Sequence, residues 1–196
     1  VSDPDADEFR VLPLDPADTA AIERAAALLV ESFREHHPRA WPDLETAREE
    51  LRECLDPEKV ILGAFAGDGA LVGWIGGQPQ YYGDAWELHP MVVDERFRRR
   101  GIGRMLVREL ERRLRERGVL VLYLGTDDEN GQTSLGGTEI FPGVLDRLRE
   151  LRNVGGHPFE VYQRLGFEVI GVIPHANGFG RPDIYMARSL GAPDGG

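Results

Sequence analysis

The chain is poor in cysteine, lacks any long apolar run and has no excess of basic charge. Cys54 is the only cysteine in 196 residues, so neither an intrachain disulfide framework nor a cysteine-rich zinc site can be built. No apolar stretch is long enough to span a bilayer and no signal peptide is evident, which points away from the membrane and to a cytoplasmic location. The net charge is −11, which argues against nonspecific nucleic-acid binding as the main task. An acidic surface suits a cationic partner, and it equally suits plain solubility. His36, His37, His157 and His175 form no metal-ligand spacing with the available acids, so no metal is assigned.

What is present is ordinary globular composition, 41% hydrophobic and 29% charged, at a length that suits one full-sized core. FRVLPLD (Phe9–Asp15) alternates as a first strand. Asp18 or Thr19 can cap a helix carrying Ile22, Ala25, Ala26, Leu29 and Phe33 at helical spacing. Two prolines make His36–Asp43 a loop, and Glu45–Leu55 reads as a second helix. Two strands follow, joined by Gly67-Asp68-Gly69, and WELHPMVVD (Trp86–Asp94) is a further strand. Ile102, Met105, Leu106, Leu110 and Leu114 define one face of a helix that Gly118 ends. Val119–Asp127 is nearly all apolar, as expected of a strand buried on both faces. A helical pattern runs through Leu145, Leu148 and Leu151. His157–Phe167 reads as a short helix closed by Gly166, and EVIGVIP and DIYMARSL as the last two strands. The reading is a single α/β (α+β) domain over 9–190 with a mixed sheet, and flexible tails at 1–8 and 191–196.

One stretch calls for a ligand. In RFRRRGIGRML (Arg96–Leu106) a block of arginines runs into Gly-Ile-Gly where a helix begins. Helix starts present free N–H groups and the positive end of a dipole to anions. A Rossmann fingerprint needs a glycine where Leu106 stands. A Walker A loop needs Gly-Lys-Ser/Thr, which does not follow. A solvated basic helix face and the pyrophosphate grip of an acyl-CoA site remain.

Arg98-Arg99-Arg100-Gly101-Ile102-Gly103 resembles the Arg/Gln-x-x-Gly-x-Gly/Ala motif of the GCN5-related N-acetyltransferases, and Tyr162 in PFEVYQRLGF resembles the tyrosine before their Leu-Gly-Phe turn. Four ordered blocks between about Trp74 and Arg188 are similar to the aminoglycoside 6′-N-acetyltransferases: IGGQPQYYGDAWELHPMVV, LYLGTDDENGQTSL, HPFEVYQRLGF and PHANGFGRPDIYMA. The resemblance implies a twisted mixed sheet flanked by helices, acetyl-CoA as co-substrate, an aminoglycoside as acceptor, and a homodimer. It implies that the backbone of Met91, Val92 and Val93 pairs with pantetheine. Arg98, Arg99, Arg100, Gly101, Ile102, Gly103 and Arg104 would hold the pyrophosphate.

Glu87 and His89 lie two apart in a strand and so share a face. Glu87 is similar to the acid that positions the amine or takes its proton, and His89 would line the same cleft. A solvated strand acid and a structural histidine are the plainer readings of the two. Tyr162 is the candidate acid for the departing thiolate, or a packing residue. Asp127, Asp128 and Glu129 form an acidic cluster that would dock ammonium groups, or an ordinary polar turn. Asn130 stands where the relatives carry a further acid. Asp183 would join the acceptor site or brace the last hairpin, and Trp41, with His36 and His37, would shape its rim. Cys54 reads as a small buried residue, not a carrier of acetyl groups. An acetyltransferase for another amine, a polyamine or a protein N-terminus, and a noncatalytic acyl-CoA sensor are the alternatives.

Overall fold

The computed structural model describes residues 8–34 and 39–191. His36 and His37 lie outside these residues, as do 1–7 and 192–196 of the expected tails. The elements, in order, are β1 (Phe9–Pro13), α1 (Thr19–Phe33), α2 (Leu44–Cys54), β2 (Val60–Ala66), β3 (Leu71–Gln80), β4 (Ala85–Val93), α3 (Ile102–Glu116), β5 (Val121–Asp127), α4 (Val144–Arg149), α5 (Phe159–Arg164), β6 (Glu168–Ile173) and β7 (Asp183–Ser189). They condense into two compact units. One runs to Leu120 and takes back Leu190; the other is Val121–Ser189.

In the first unit β1 to β4 pair antiparallel in chain order. The β2–β3 turn forms where expected: Gly69 takes φ +85° and the Asp68 carboxylate accepts from the Ala70 amide. Asp18 caps α1 by accepting from the Ala21 amide at 3.0 Å, and Asp43 caps α2 through Thr46 at 2.9 Å. Both caps satisfy amides that a helix start leaves free. The apolar stripes of α1 and α2 close over Trp41, Trp74 and Val92, and the Trp74 indole donates to the Ala25 carbonyl at 3.1 Å. On the opposite face of β3, α3 buries Ile102, Leu106, Val107, Leu110 and Leu114. Each such side chain contributes about 2 kcal/mol. Leu110 lies so close to β3 that a Cβ at Gly77 would come within 2.9 Å of it.

In the second unit β7 pairs antiparallel with both β5 and β6. Two expectations are corrected here. β5 is not buried on both faces: Leu122, Leu124 and Thr126 point inward while Val121, Tyr123 and Asp127 are half-buried. Its apolar run reflects large side chains on a partly covered face. The helix expected through Leu151 is only six residues long, with Leu145 exposed and Leu151 beyond its end. Leucine spacing mimicked a buried stripe, but Leu145 is exposed and Leu148 and Leu151 are only half-buried.

Candidate active site

Glu87 and His89 sit on β4, where the sheet is irregular. Between the pairs Ile75–Met91 and Gly77–Leu88 lie one residue of β3, Gly76, and two of β4, His89 and Pro90. This is a β-bulge, and a bulge re-aims the side chains on either side of it. Glycine at 76 is required: a Cβ there would sit 2.3 Å from the His89 carbonyl oxygen. Glu87 and His89 share a half-buried face, as the alternation predicts. Beyond the bulge the faces exchange. Val92 joins the core under α1 and α2, whereas Met91 lies on the α3 side near Gly103. The Glu87 carboxylate accepts from Gln78 at 2.9 Å and from Gln80 at 3.5 Å. Both amides stand on the neighbouring strand, and Gln78 is its direct cross-strand partner.

Sequence reasoning missed Glu50. It stands on α2 at the edge of the stripe formed by Ala47, Leu51 and Cys54. Its carboxylate lies 3.6 Å from His89 Nε2, accepts from Trp41 Nε1 at 3.3 Å, and is 3.5 Å from Cys54 Sγ. The Trp41 ring packs 4.7 Å from Phe33 and 5.8 Å from His89, centroid to centroid. The nearby carboxylate raises His89 above the usual imidazole range, and His89 in turn lowers Glu50. Burial, with Glu50 adding to it, pushes the Cys54 thiol up to about 12. It stays protonated at neutral pH and is no nucleophile. The signal that marks Glu50 is an acid placed three residues after Ala47 and four before Cys54, on a face otherwise buried.

The turn into α3 is held from behind. Asp94 is buried and accepts from Arg24 at 2.6 Å, and from the Arg96 guanidinium and amide. These donors hold its carboxyl at about 2. Arg99 and Gly101 take φ +63° and +80°, and α3 starts with no side-chain cap and no acid in its first turn. The amides of Ile102, Gly103 and Arg104 therefore begin the helix. Arg98, Arg99 and Arg104 are exposed. Arg100 is drawn away: its guanidinium pairs with Glu8 and lies over Phe9 and Phe97. Glu8 is the residue at the edge of the expected tail, 1–8.

In the second unit Tyr162 is half-buried on α5, its ring 5.9 Å from Phe167. Burial pushes its phenol up to about 12, so it remains a proton donor throughout the neutral range. His157 fixes the start of this helix. Its Nδ1 accepts from the Phe159 amide at 3.2 Å, which leaves Nε2 to donate to the Asp127 carbonyl at 3.0 Å.

The acidic cluster divides. Asp127 accepts from the Asn177 amide and lies directly across from Asp183. The Asp183 carboxylate covers Gly125, where a Cβ would come within 2.7 Å of it. Glu129 is half-buried. Asp128 is fully buried, and its two oxygens accept from the Gln132 and Thr133 amides and the Thr133 hydroxyl at 2.6–2.8 Å. Of the two readings given for it, these contacts favour the polar turn: three donors from its own loop let the Asp128 carboxylate brace that loop.

The sequence profile of the acetyltransferase (GNAT) family matches residues 22–134, a span that contains the bulged strand, Glu50 and the Gly101 turn. The chain is similar to an aminoglycoside 6′-N-acetyltransferase complexed with coenzyme A, at 34% identity and a TM-score of 0.84 over 92% of this chain and 97% of that one. It is similar to the aminoglycoside 6′-N-acetyltransferase from Enterococcus faecium at 35% identity and 0.82 over the same shares. Aminoglycoside 6′-acetyltransferase type Ii follows at 31% and 0.70, again over 92% and 97%. No curated protein sequence matches. The chain belongs to the GNAT family of acetyltransferases and has the α/β fold of that family, as its motifs implied.

Proposed function

We propose that the protein transfers the acetyl group of acetyl-CoA to the 6′-amine of an aminoglycoside. The observation that carries this reading is the similarity, at 34–35% identity over 92% of the chain, to two enzymes named for that reaction. The residues present fit coenzyme A. A diphosphate needs a concave run of N–H groups with room for its oxygens. At Gly101 an added Cβ would meet nothing within 4 Å, and at Gly103 only Met91 at 3.9 Å. Arg98, Arg99 and Arg104 supply charge; Arg100 contributes its backbone. Met91, Val92 and Val93 pair with pantetheine through their main chain.

Acetyl-CoA, when bound, supplies an activated acyl group. The amine nitrogen bonds to the acyl carbon as the carbon–sulfur bond breaks. The amine must shed a proton and the thiolate must gain one. Glu87, held by Gln78 and Gln80, attracts the ammonium group and accepts or relays its proton. His89 lines the same face. Tyr162 donates to sulfur. Asp127, Glu129 and Asp183 attract the remaining ammonium groups. Acetylation removes a charge and a donor that the drug uses on its ribosomal target, which makes this a resistance activity.

The test is coenzyme A release with kanamycin, spermidine and a peptide panel, run on the wild type and Glu87→Gln. The aminoglycoside is expected to be the preferred acceptor. Glu87→Gln should lose roughly 10²-fold or more in kcat/KM for it, with acetyl-CoA binding unchanged and the loss shrinking as rising pH neutralises the amine. Preference for spermidine or a peptide would redirect the substrate. Turnover with none of the amines, alongside tight coenzyme A binding, would leave a sensor.

A further inference from the structure

The cluster around Glu50 draws side chains from three places in the first unit. Trp41 precedes α2, Glu50 and Cys54 lie on it, and His89 lies on β4. One carboxylate serves all of them. Oε2 takes the Trp41 indole N–H at 3.3 Å, while Oε1 faces His89 Nε2 at 3.6 Å and Cys54 Sγ at 3.5 Å. His89 is itself tied to the bulge, and its carbonyl lies 3.9 Å from the same Cys54 sulfur. The imidazole and the indole are therefore held as a pair by one acid on another element.

We propose that Glu50 is a positioning residue for the acceptor side of the site, holding the His89 imidazole and the Trp41 indole in one arrangement next to Glu87. This rests on the reading of the Glu87–His89 face as the acceptor side. Glu50 acts through His89 and Trp41 and does not touch the reacting atoms.

Electrostatics makes the arrangement consequential. The charged groups that act on His89 are Glu50 from α2, Glu87 from its own strand and Lys59 at the entrance to β2. The Cys54 thiol is neutral. The two acids favour the imidazolium and Lys59 opposes it, with Glu50 the largest influence. Glu50, Glu87 and Lys59 sum with a charged His89 to zero and with a neutral His89 to one net negative charge. A cationic acceptor meets a more attractive face as His89 loses its proton, and Glu50 sets the pH at which that happens.

The sign for stability follows from the same pair. His89 is raised above 6.5, so its contribution is complete below that value and is lost as pH climbs through the folded value. Glu50 is lowered below 4.5, so its contribution is complete above that value and is lost as pH falls through the folded value. The pair is worth most between these two reference values.

The test uses the full chain and the variant Glu50→Gln, with the His89 ring followed by NMR titration and assigned by loss of its signal in His89→Gln. In Glu50→Gln the His89 midpoint should move to lower pH and the Trp41 indole N–H resonance should shift. KM for the aminoglycoside should rise about three- to tenfold with KM for acetyl-CoA unchanged. Glu50→Asp, whose carboxylate is drawn back by one methylene, should show an intermediate midpoint. It carries the same test if the glutamine variant does not fold. An unmoved His89 midpoint in the folded variants overturns the proposal, whatever the activity. A moved midpoint with unaltered KM for every acceptor overturns the positioning role. If no amine is turned over by the wild type, the function proposed above fails on its own account. A moved midpoint and a shifted indole then still uphold the Glu50 arrangement.

Discussion

At the scale of single residues, chemistry is assigned by what each side chain is already committed to. Asp128 and Asp94 look alike in sequence to Glu87, yet each is engaged by several local donors. Asp128 is held by Gln132 and Thr133, and Asp94 by Arg24 and Arg96. Glu87 is held by two neutral amides; they orient the carboxylate without cancelling its charge. Tyr162 differs again. Among the described residues no hydrogen bond engages its hydroxyl, and its ionisation lies near 12, far above the working range. Tyr162→Phe therefore removes a proton donor while leaving the packing against Phe167 in place. Turnover should fall roughly 10²-fold, with thermal stability within about 0.5 kcal/mol of the wild type. Steady-state kinetics and a melting curve on the same preparation check both halves. A turnover loss below about threefold would make Tyr162 a packing residue.

At the scale of elements, the legible parts of the sequence are those whose physics is local. Asp18 announces α1 because capping acts within three residues; Asp43 caps α2 by the same physics, although in the sequence it reads only as the end of a loop. The β2–β3 turn follows from Gly69, and α3 from five apolar residues on one stripe. Glu87 and His89 were readable as sharing a face because alternation is a property of the strand alone. Three features needed the fold. The bulge at His89–Pro90 depends on β3 facing β4. Glu50 matters only because α2 packs beside β4. The short, exposed α4 fails because spacing reports what a helix offers for burial, not whether anything covers it. The bulge also makes a prediction. Gly76 meets backbone, whereas Gly67 has nothing within 4 Å and no unusual φ. Gly76→Ala must displace the His89 carbonyl or distort β3, at a cost of about 1–3 kcal/mol. Because His89 moves with its carbonyl, KM for the acceptor should rise as well. Gly67→Ala should leave both unchanged. Equal melting temperatures for the two variants would mean that the bulge yields without strain.

At the scale of the whole molecule, the net charge of −11 acts over distances that no single contact covers. The chain nevertheless places arginines at the α3 turn, where the helix begins with uncapped amides. On the function proposed above, coenzyme A would meet a local positive patch and a cationic acceptor a generally negative surface. The field of the surface steers a polycation toward the protein, and salt screens it, with a Debye length of about 10 Å at 0.1 M. KM for kanamycin should therefore rise with ionic strength, by roughly tenfold between about 0.05 and 0.5 M salt. The slope should be shallower for an acceptor with fewer ammonium groups, because fewer charges are being steered. Measuring both acceptors over the same salt series separates this field effect from any change in the chemical step, which would alter kcat equally for the two. Acceptor KM values that do not change with salt would show that the acidic surface serves solubility alone and that Glu87 and its neighbours recognise the acceptor only at contact.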